Sequence, residues 1–307
     1  MKKDFIALTD FSSHELTGML DLADRIKRSP QEFDSALKGK TLGMIFNKKS
    51  TRTRISFQVG IFQLGGIGLF LGPEDLQLAR GETISDTGKV LSRFLDGIMI
   101  RTFSHSDVLD LAKYATVPVI NGLTDFNHPC QALADMMTLR EKFGTLEGLK
   151  LAYVGDSNNV AVSLLFACVK FGLHISLVSP KGYTITKEAL EMSREEAGSK
   201  NLNVVLTGNV QEGVSGADVV YTDVWASMGQ EEERQQRLKD LAAYSINDQV
   251  MRWAGPKAVF MHCLPAHRSE EVSSSVIDGP GSIVFDQAEN RLHLQKAILV
   301  KLLGDES

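Results

Sequence analysis

The chain lacks a positive charge excess, a long apolar run and any pairing pattern among its cysteines, and each absence removes a class of protein. Its 307 residues carry 33 Lys and Arg against 38 Asp and Glu, a net charge of -5. A broad basic footprint for nucleic acid or an anionic membrane is therefore missing, and any anion site must be local. No apolar stretch approaches the ~20 residues of a membrane span. The three cysteines, Cys130, Cys168 and Cys263, are far apart and lack C-x-x-C spacing, which argues for reduced thiols rather than a disulfide frame or a zinc site. Residues Met1 to Phe5 show neither a signal-peptide core nor transit-peptide character, so a cytoplasmic location is expected. A dinucleotide fingerprint is missing too: Gly155-Asp156-Ser157-Asn158-Asn159-Val160 supplies only the first glycine of G-x-G-x-x-G. No repeat recurs at a 20 to 50 residue period, which removes a solenoid.

What is present is an alternation of strand and helix periods. At 43% hydrophobic and 23% charged the composition is that of an ordinary globular protein, and the length suits two domains. After a helix that opens on the capping box Ser12-Ser13-His14-Glu15, strands are expected at Lys40 to Phe46, Ile67 to Leu71, Gly97 to Arg101 and Val117 to Gly122. Helices fill Thr51 to Leu64, Ile84 to Phe94, Ser106 to Tyr114 and Pro129 to Phe143. Past the turn-rich Gly144 to Gly148 the pattern restarts, with strands at Leu149 to Val154, His174 to Ser179, Val204 to Thr207, Asp218 to Asp223, Ala258 to Leu264 and Ile283 to Phe285. Helices follow at Val160 to Phe171, Thr186 to Ser199 and Ile246 to Ala254, with a short one near Glu270 and a last one from Ala288 to Leu303. The expected class is α/β: two doubly wound lobes, each a mostly parallel sheet flanked by helices, with the C-terminal helix packing back on the N-terminal lobe. The boundaries are 1–143 plus 288–307 for the first domain and 144–287 for the second.

In open sheets of this kind ligands sit at the carboxyl ends of the strands. The first strand gives way to Asn47-Lys48-Lys49-Ser50-Thr51-Arg52-Thr53-Arg54 at a helix start. Helix N-termini present N–H groups without internal acceptors and about half a positive charge, so a dianion gains hydrogen bonds and field together. Arg52 adds a planar fork that matches phosphate oxygens, whereas Arg54 lies on another face and reads as structural. Such a run also suits a capped surface helix with solvated basic residues, and both readings stand at this point. The third strand ends in Arg101, and the fourth leads through Asp125-Phe126-Asn127 into His128-Pro129-Cys130-Gln131. In the second half the strand exits carry Gly155 to Asn159, Asp223 to Gly229 and His262 to Pro265.

Taken together these segments resemble a known family. Ser50-Thr51-Arg52-Thr53-Arg54 and His128-Pro129-x-Gln131 are similar to the signatures of the aspartate and ornithine carbamoyltransferases, and Asp223-Val224-Trp225-Ala226-Ser227-Met228-Gly229 with His262-Cys263-Leu264-Pro265 resembles the ornithine branch. Leu71-Gly72-Pro73 with Gln77, and Phe285 to Arg291, extend the likeness from about Phe5 to Leu303. Cys130 stands where threonine is common, and Ser157 and Val162 replace the commoner glycine and histidine.

The resemblance implies transfer of the carbamoyl group of carbamoyl phosphate to the side-chain amine of L-ornithine, giving L-citrulline and phosphate, in arginine biosynthesis or breakdown. It makes the first domain the one that binds carbamoyl phosphate and the second the one that binds ornithine. Ser50, Thr51, Arg52, Thr53, Gln77, Arg101, His128, Gln131, Cys263, Leu264 and Arg291 are then expected at carbamoyl phosphate, with Gln77 reaching from its own or a neighbouring subunit. Arg101, His128 and Cys263 are the expected catalytic residues: the first two aimed at the charge that builds on the carbamoyl oxygen, the thiol a proton acceptor or orienting group. Asn159, Asp223, Ser227 and Met228 are expected at ornithine. The charged run Gln230 to Arg237 reads as a mobile segment able to close over the amino acid, or equally as a plain surface loop. No metal or organic cofactor is called for, and a homotrimer or a multiple of trimers is implied.

Other readings are a nicotinamide-dependent dehydrogenase, a thiol hydrolase built on Cys263 and His267, a non-catalytic amino-acid binder, and a carbamoyltransferase that uses another amine.

Overall fold

A computed structural model of the chain describes residues 2–76, 81–198, 203–226 and 231–304. It divides into two compact units, Met1–Met137 with Glu289–Ser307, and Thr138–Ala288. Each unit carries one wholly parallel sheet among the described residues, of four strands in the first and five in the second. The expected α/β class with two parallel lobes is what the chain adopts.

In the first unit β1 (Thr41–Phe46), β2 (Ile67–Leu71), β3 (Gly97–Arg101) and β4 (Val119–Leu123) lie in the order β2-β1-β3-β4. Every residue of β3 and β4 is buried, because helices on both faces leave such strands no solvated side. The helices are α1 (Ser13–Arg28), α2 (Thr51–Gln63), α3 (Ile84–Leu91), α4 (His105–Tyr114), the first part of α5 (Pro129–Phe143) and most of α12 (Val284–Leu303). The last helix does return to the first lobe: a Cβ on Gly60 of α2 would stand 3.2 Å from Lys296 and 3.6 Å from Leu292. Successive strands fall on opposite sides of β1, so the switch in chain order lies between β1 and β3. Their register pairs Phe46 with Arg101, which sets the exit of β1 beside that arginine.

In the second unit β5 (Lys150–Val154), β6 (His174–Val178), β7 (Val204–Thr207), β8 (Val219–Thr222) and β9 (Val259–His262) run in the order β7-β6-β5-β8-β9. Here the switch lies between β5 and β8. Thr222 pairs with His262, so Asp223 and Cys263 leave the sheet side by side. The covering helices are α6 (Asn159–Phe171), α7 (Lys187–Ala197), α8 (Val210–Val214), α9 (Arg234–Leu241), α10 (Asp248–Ala254) and α11 (Ser274–Ile277). Nine apolar residues of α6 are buried, Cys168 among them, so that thiol serves as a small core hydrophobe.

Three expectations are corrected, and one helix is new. Residues Ile283 to Phe285 are not a strand: Ser282 makes one parallel bridge to Phe260, Ile283 N–H donates to the Phe260 carbonyl, and the helix begins at Val284. The short helix near Glu270 is instead a turn, drawn out by bridges of Val272 to Ile246 and Arg268, and the helical turn comes later as α11. The helix α8, capped by Asn209, was not anticipated. In the run Gln230 to Arg237, Arg234 begins α9 instead of continuing a loop, while Gln230 lies outside the described residues.

Candidate active site

The first unit gathers its cationic side chains at the exits of β1, β3 and β4. Ser50 caps α2, its Oγ accepting from Thr53 N–H at 3.2 Å, so this hydroxyl is committed to the helix end. Thr51 is exposed, Arg52 half-buried and Thr53 fully buried. Arg291 of α12 explains the burial of Thr53: its Nη2 donates to Thr53 Oγ1 at 2.6 Å and its Nη1 to Gln131 Oε1 at 3.0 Å. Gln131 in turn donates to the buried Asp135 at 2.8 Å. One buried guanidinium thus ties α2 and α5 together on α12. Gln131 and Arg291, expected at the substrate, are engaged with each other. Arg54 stacks on Phe70, 3.8 Å from the ring centre, in keeping with a structural part.

His128 sits on a buried polar turn just before α5, where Pro129 suits the first helical position. Thr124, Asn127 and Asn121 hydrogen-bond one another beneath it, and Asn121 and Asn127 both donate to the Ile6 carbonyl, at 3.0 and 3.2 Å. Burial holds the His128 imidazole well below its ordinary pKa, and the charges of Arg291, Arg101 and Arg52 push the same way. Burial and the three guanidinium charges thus all favour the uncharged form of this imidazole. Cys130, two residues further on, is pushed up to about 12 by burial, and its Sγ donates to the Asn121 carbonyl at 3.4 Å. A neutral donor is what a threonine would also provide there.

Sequence reasoning passed over Lys48. It is buried under the Phe103 ring, and its Nζ lies 2.5 Å from Asp125 Oδ1, which joins the loop after β1 to the turn before His128. Its apolar approach through Phe46 and its acidic partner 77 residues away gave no local pattern to read.

The second unit gathers acids. Cys263 Sγ donates to Asp223 Oδ1 at 3.0 Å, Asn158 Nδ2 donates to Asp223 Oδ2 at 2.8 Å, and Val224 N–H reaches Asp223 Oδ1 at 2.8 Å. The Tyr153 hydroxyl, 3.0 Å from the Asp156 carbonyl, is held well above its ordinary pKa by burial, with Asp223, Asp156 and Cys263 adding to the rise. Asn159, the residue expected at ornithine, opens α6 and is half-buried; the asparagine joined to Asp223 is its neighbour Asn158, which also caps the helix. Adjacent asparagines are hard to tell apart without the helix phase. Leu264 has a left-handed φ of 57°, and its N–H donates to His262 Nδ1 at 2.8 Å. That bond leaves the proton of the ring on Nε2, which faces the buried Glu271 at 3.4 Å. Gln77, Ser227 and Met228 lie outside the described residues.

Two groups among the described residues bring three potential metal ligands within 4.8 Å: Asp223 with His262 and Cys263, and His267 with Glu270 and Glu271. In the first, the Cys263 thiol and His262 Nδ1 are already committed to the internal bonds given above.

A cationic strand-exit cluster on one parallel α/β unit and an acidic one on the other define a two-substrate group transferase. Models of two domains account for the chain: the carbamoyl-P binding domain of aspartate/ornithine carbamoyltransferase over residues 3–141, and the Asp/Orn binding domain over residues 147–302. The chain is 56% identical over 306 residues to an ornithine carbamoyltransferase of Symbiobacterium thermophilum, with 98% of each sequence covered. The solved ornithine carbamoyltransferase of Pyrococcus furiosus superposes with a TM-score of 0.96 at 50% identity, over 100% of this chain and 98% of that one. An acetylornithine transcarbamylase complexed with acetylcitrulline superposes with 0.89 at 31% identity, over 99% and 100%. The chain belongs to the aspartate/ornithine carbamoyltransferase family.

Proposed function

We propose that the chain transfers the carbamoyl group of carbamoyl phosphate to the side-chain amine of L-ornithine, giving L-citrulline and phosphate, a step of arginine biosynthesis. The observation that carries this reading is the cationic strand-exit cluster of the first unit, in which Arg291 holds Thr53 of α2 and Gln131 of α5 while Arg101 ends β3 beside the exit of β1.

The chemistry asks three things of the residues. The amine nitrogen forms a bond to the carbamoyl carbon, the bond from that carbon to the phosphate oxygen breaks, and the amine loses a proton. The leaving dianion is held by the first N–H groups of α2, by the hydroxyls of Thr51 and Thr53 and by the fork of Arg52, with Gln77 completing the cradle. Gln131 and Arg291 serve this end by fixing Thr53. Arg101 and the neutral His128 donate to the carbamoyl oxygen as its charge builds. A neutral imidazole keeps one N–H donor without adding a cation to three arginines.

The substrate amine is ionised in water, its pKa resembling that of lysine at about 10.4, so the second unit has to accept it neutral or take its proton. Because the Cys263 thiol gives its own proton to Asp223, its sulfur lone pair is the acceptor proposed to orient an N–H of the amine taken up neutral, with Leu264 shaping the turn. Asp223 also supplies the acid for the α-ammonium, and Asn159, Ser227 and Met228 supply neutral contacts to the rest of the amino-acid head.

A homotrimer working in the cytoplasm is part of the same reading. It is supported by the edge strand β2 and its flank, where Ile55, Phe62, Ile67 and Leu69 stand 52, 76, 61 and 44% exposed, apolar surface of the kind subunit contacts cover. Among the described residues no helix is long and apolar enough to cross a membrane. A colorimetric citrulline assay tests the function. Ornithine is expected to be carbamoylated well ahead of putrescine, lysine, aspartate and N-acetylornithine, and faster turnover of any of these would displace the reading.

A further inference from the structure

The short helix α9 follows the loop that leaves β8, and its side chains close a circuit around the acidic strand exits of the second unit. Arg237 of α9 is only 11% exposed. Its Nη1 donates to Asp156 Oδ2 at 2.6 Å and lies 3.2 Å from the Trp225 carbonyl, while its Nε donates to Glu233 Oε2 at 3.0 Å. Asp156 belongs to the loop after β5, and Trp225 to the loop after β8, two residues past Asp223. One guanidinium therefore spans the two loops that flank the switch point. The circuit closes elsewhere on the same helix: the Tyr183 hydroxyl donates to Asp240 Oδ2 at 2.9 Å, the Tyr183 carbonyl accepts from Ser157 N–H at 2.9 Å, and the Arg237 guanidinium lies 5.2 Å from the centre of the Tyr183 ring. Arg234 adds an ion pair to Glu270. The loops meet tightly, since a Cβ on Gly155 would stand 3.4 Å from Thr222 Oγ1 and 3.5 Å from Trp225 Nε1.

We infer that Arg237 is a positioning residue for the amino-acid substrate, holding the loops that carry Asn158, Asn159 and Asp223 at a fixed spacing and neutralising Asp156 so that Asp223 is left as the acid offered to the substrate ammonium. The inference rests on the ornithine reading given above. Asp156 needs such a partner: burial pushes its carboxyl up, the Arg237 hydrogen bond and charge pull it back, and Asp223 lies close enough to raise it again. Without Arg237 two neighbouring carboxylates would compete for one ammonium, and the bond to the Trp225 carbonyl would be lost with it. A lysine keeps the charge but has no planar fork to bond Asp156, the Trp225 carbonyl and Glu233 from fixed directions.

Steady-state kinetics on the full-length enzyme test this, with Arg237→Met, Arg237→Lys, Asp156→Asn and the Asp156→Asn/Arg237→Met pair. Arg237→Met is expected to raise KM for ornithine by about tenfold or more while KM for carbamoyl phosphate stays within about twofold, and Arg237→Lys to recover part of the loss. L-Norvaline, which keeps the amino-acid head and lacks the side-chain amine, should weaken as an inhibitor by a similar factor. The double variant should do no worse than the single ones, because both remove one contact. An unchanged KM for ornithine in a folded Arg237→Met enzyme, or equal rises for both substrates, would overturn the inference. Should that variant fail to fold, Asp156→Asn asks the same question, with a rise in the ornithine KM alone supporting the inference and an unchanged one overturning it. A wild-type enzyme that makes no citrulline from ornithine would instead overturn the function, and is read separately.

Discussion

The two strand-exit clusters are built on the same sheet type and held together in different ways. In the first unit the reactive end is pinned by groups buried in helices: Arg291 of α12 reaches Thr53 of α2 and Gln131 of α5, all of them almost wholly removed from water. In the second unit it is carried on loops, and the ties are side chains at the surface of the sheet, such as Arg237 on Asp156 and Asn158 on Asp223. A small dianion of constant shape suits the rigid frame. A longer amino acid, which has to be admitted and oriented at both ends, suits loops whose spacing is set by a few polar bonds. The comparison predicts that damage in the first unit costs rate and stability together, whereas damage in the second changes the apparent affinity for one substrate.

The largest effect expected is for Arg52→Lys, which keeps the charge and loses the bidentate fork: kcat/KM for carbamoyl phosphate should fall about 100-fold, and a loss of less than about twofold would remove Arg52 from the cradle. Next comes Arg291→Met, which leaves Thr53, Gln131 and Asp135 without their buried cation. Its stability is expected to drop by about 3 kcal/mol, read by urea denaturation, along with most of its activity. Asp223→Asn should raise KM for ornithine about tenfold and leave that for carbamoyl phosphate almost unchanged. Equal rises would mean that the acidic cluster does not serve the amino acid.

The smallest effect is on stability against pH. Burial lowers the pKa of His128, and also that of His105 and His293, so the unfolded chain binds protons more readily than the folded one below about pH 6.5. Stability present above the unfolded value is therefore lost as the pH falls from there toward the folded values. The melting temperature should decline across that window, and His128→Gln should remove part of the slope. A flat profile between about pH 6.5 and 5 would contradict the burial of these rings.

The first unit was the more readable in the sequence for the same physical reason. Helix starts and strand exits announce themselves through local spacing, so Ser50 to Thr53, the end of β3 at Arg101 and the start of α5 at Pro129 were all placed from neighbours a few residues apart. The family resemblance and its activity rest on those same short motifs. What escaped were ties across the chain. Lys48 and Asp125 are 77 residues apart, Arg237 and Asp156 are 81 apart, and Tyr183 and Asp240 are 57 apart, so the charged run Gln230 to Arg237 offered no sign that one of its arginines is nearly buried. The strand expected at Ile283 failed differently. Its apolar run is the N-terminal turn of α12, where Val284 packs into the core and Phe285 is 70% exposed, a helical rather than a sheet pattern.

The account depends most on where the phosphate rests. A crystal structure with a phosphonate analogue of carbamoyl phosphate decides this directly: its anionic group should lie at the N-terminus of α2, within hydrogen-bonding distance of the Thr51 and Arg52 N–H groups and the Arg52 fork, with its carbonyl toward Arg101 and His128. The analogue bound at any other strand exit, with the start of α2 unchanged, would contradict it.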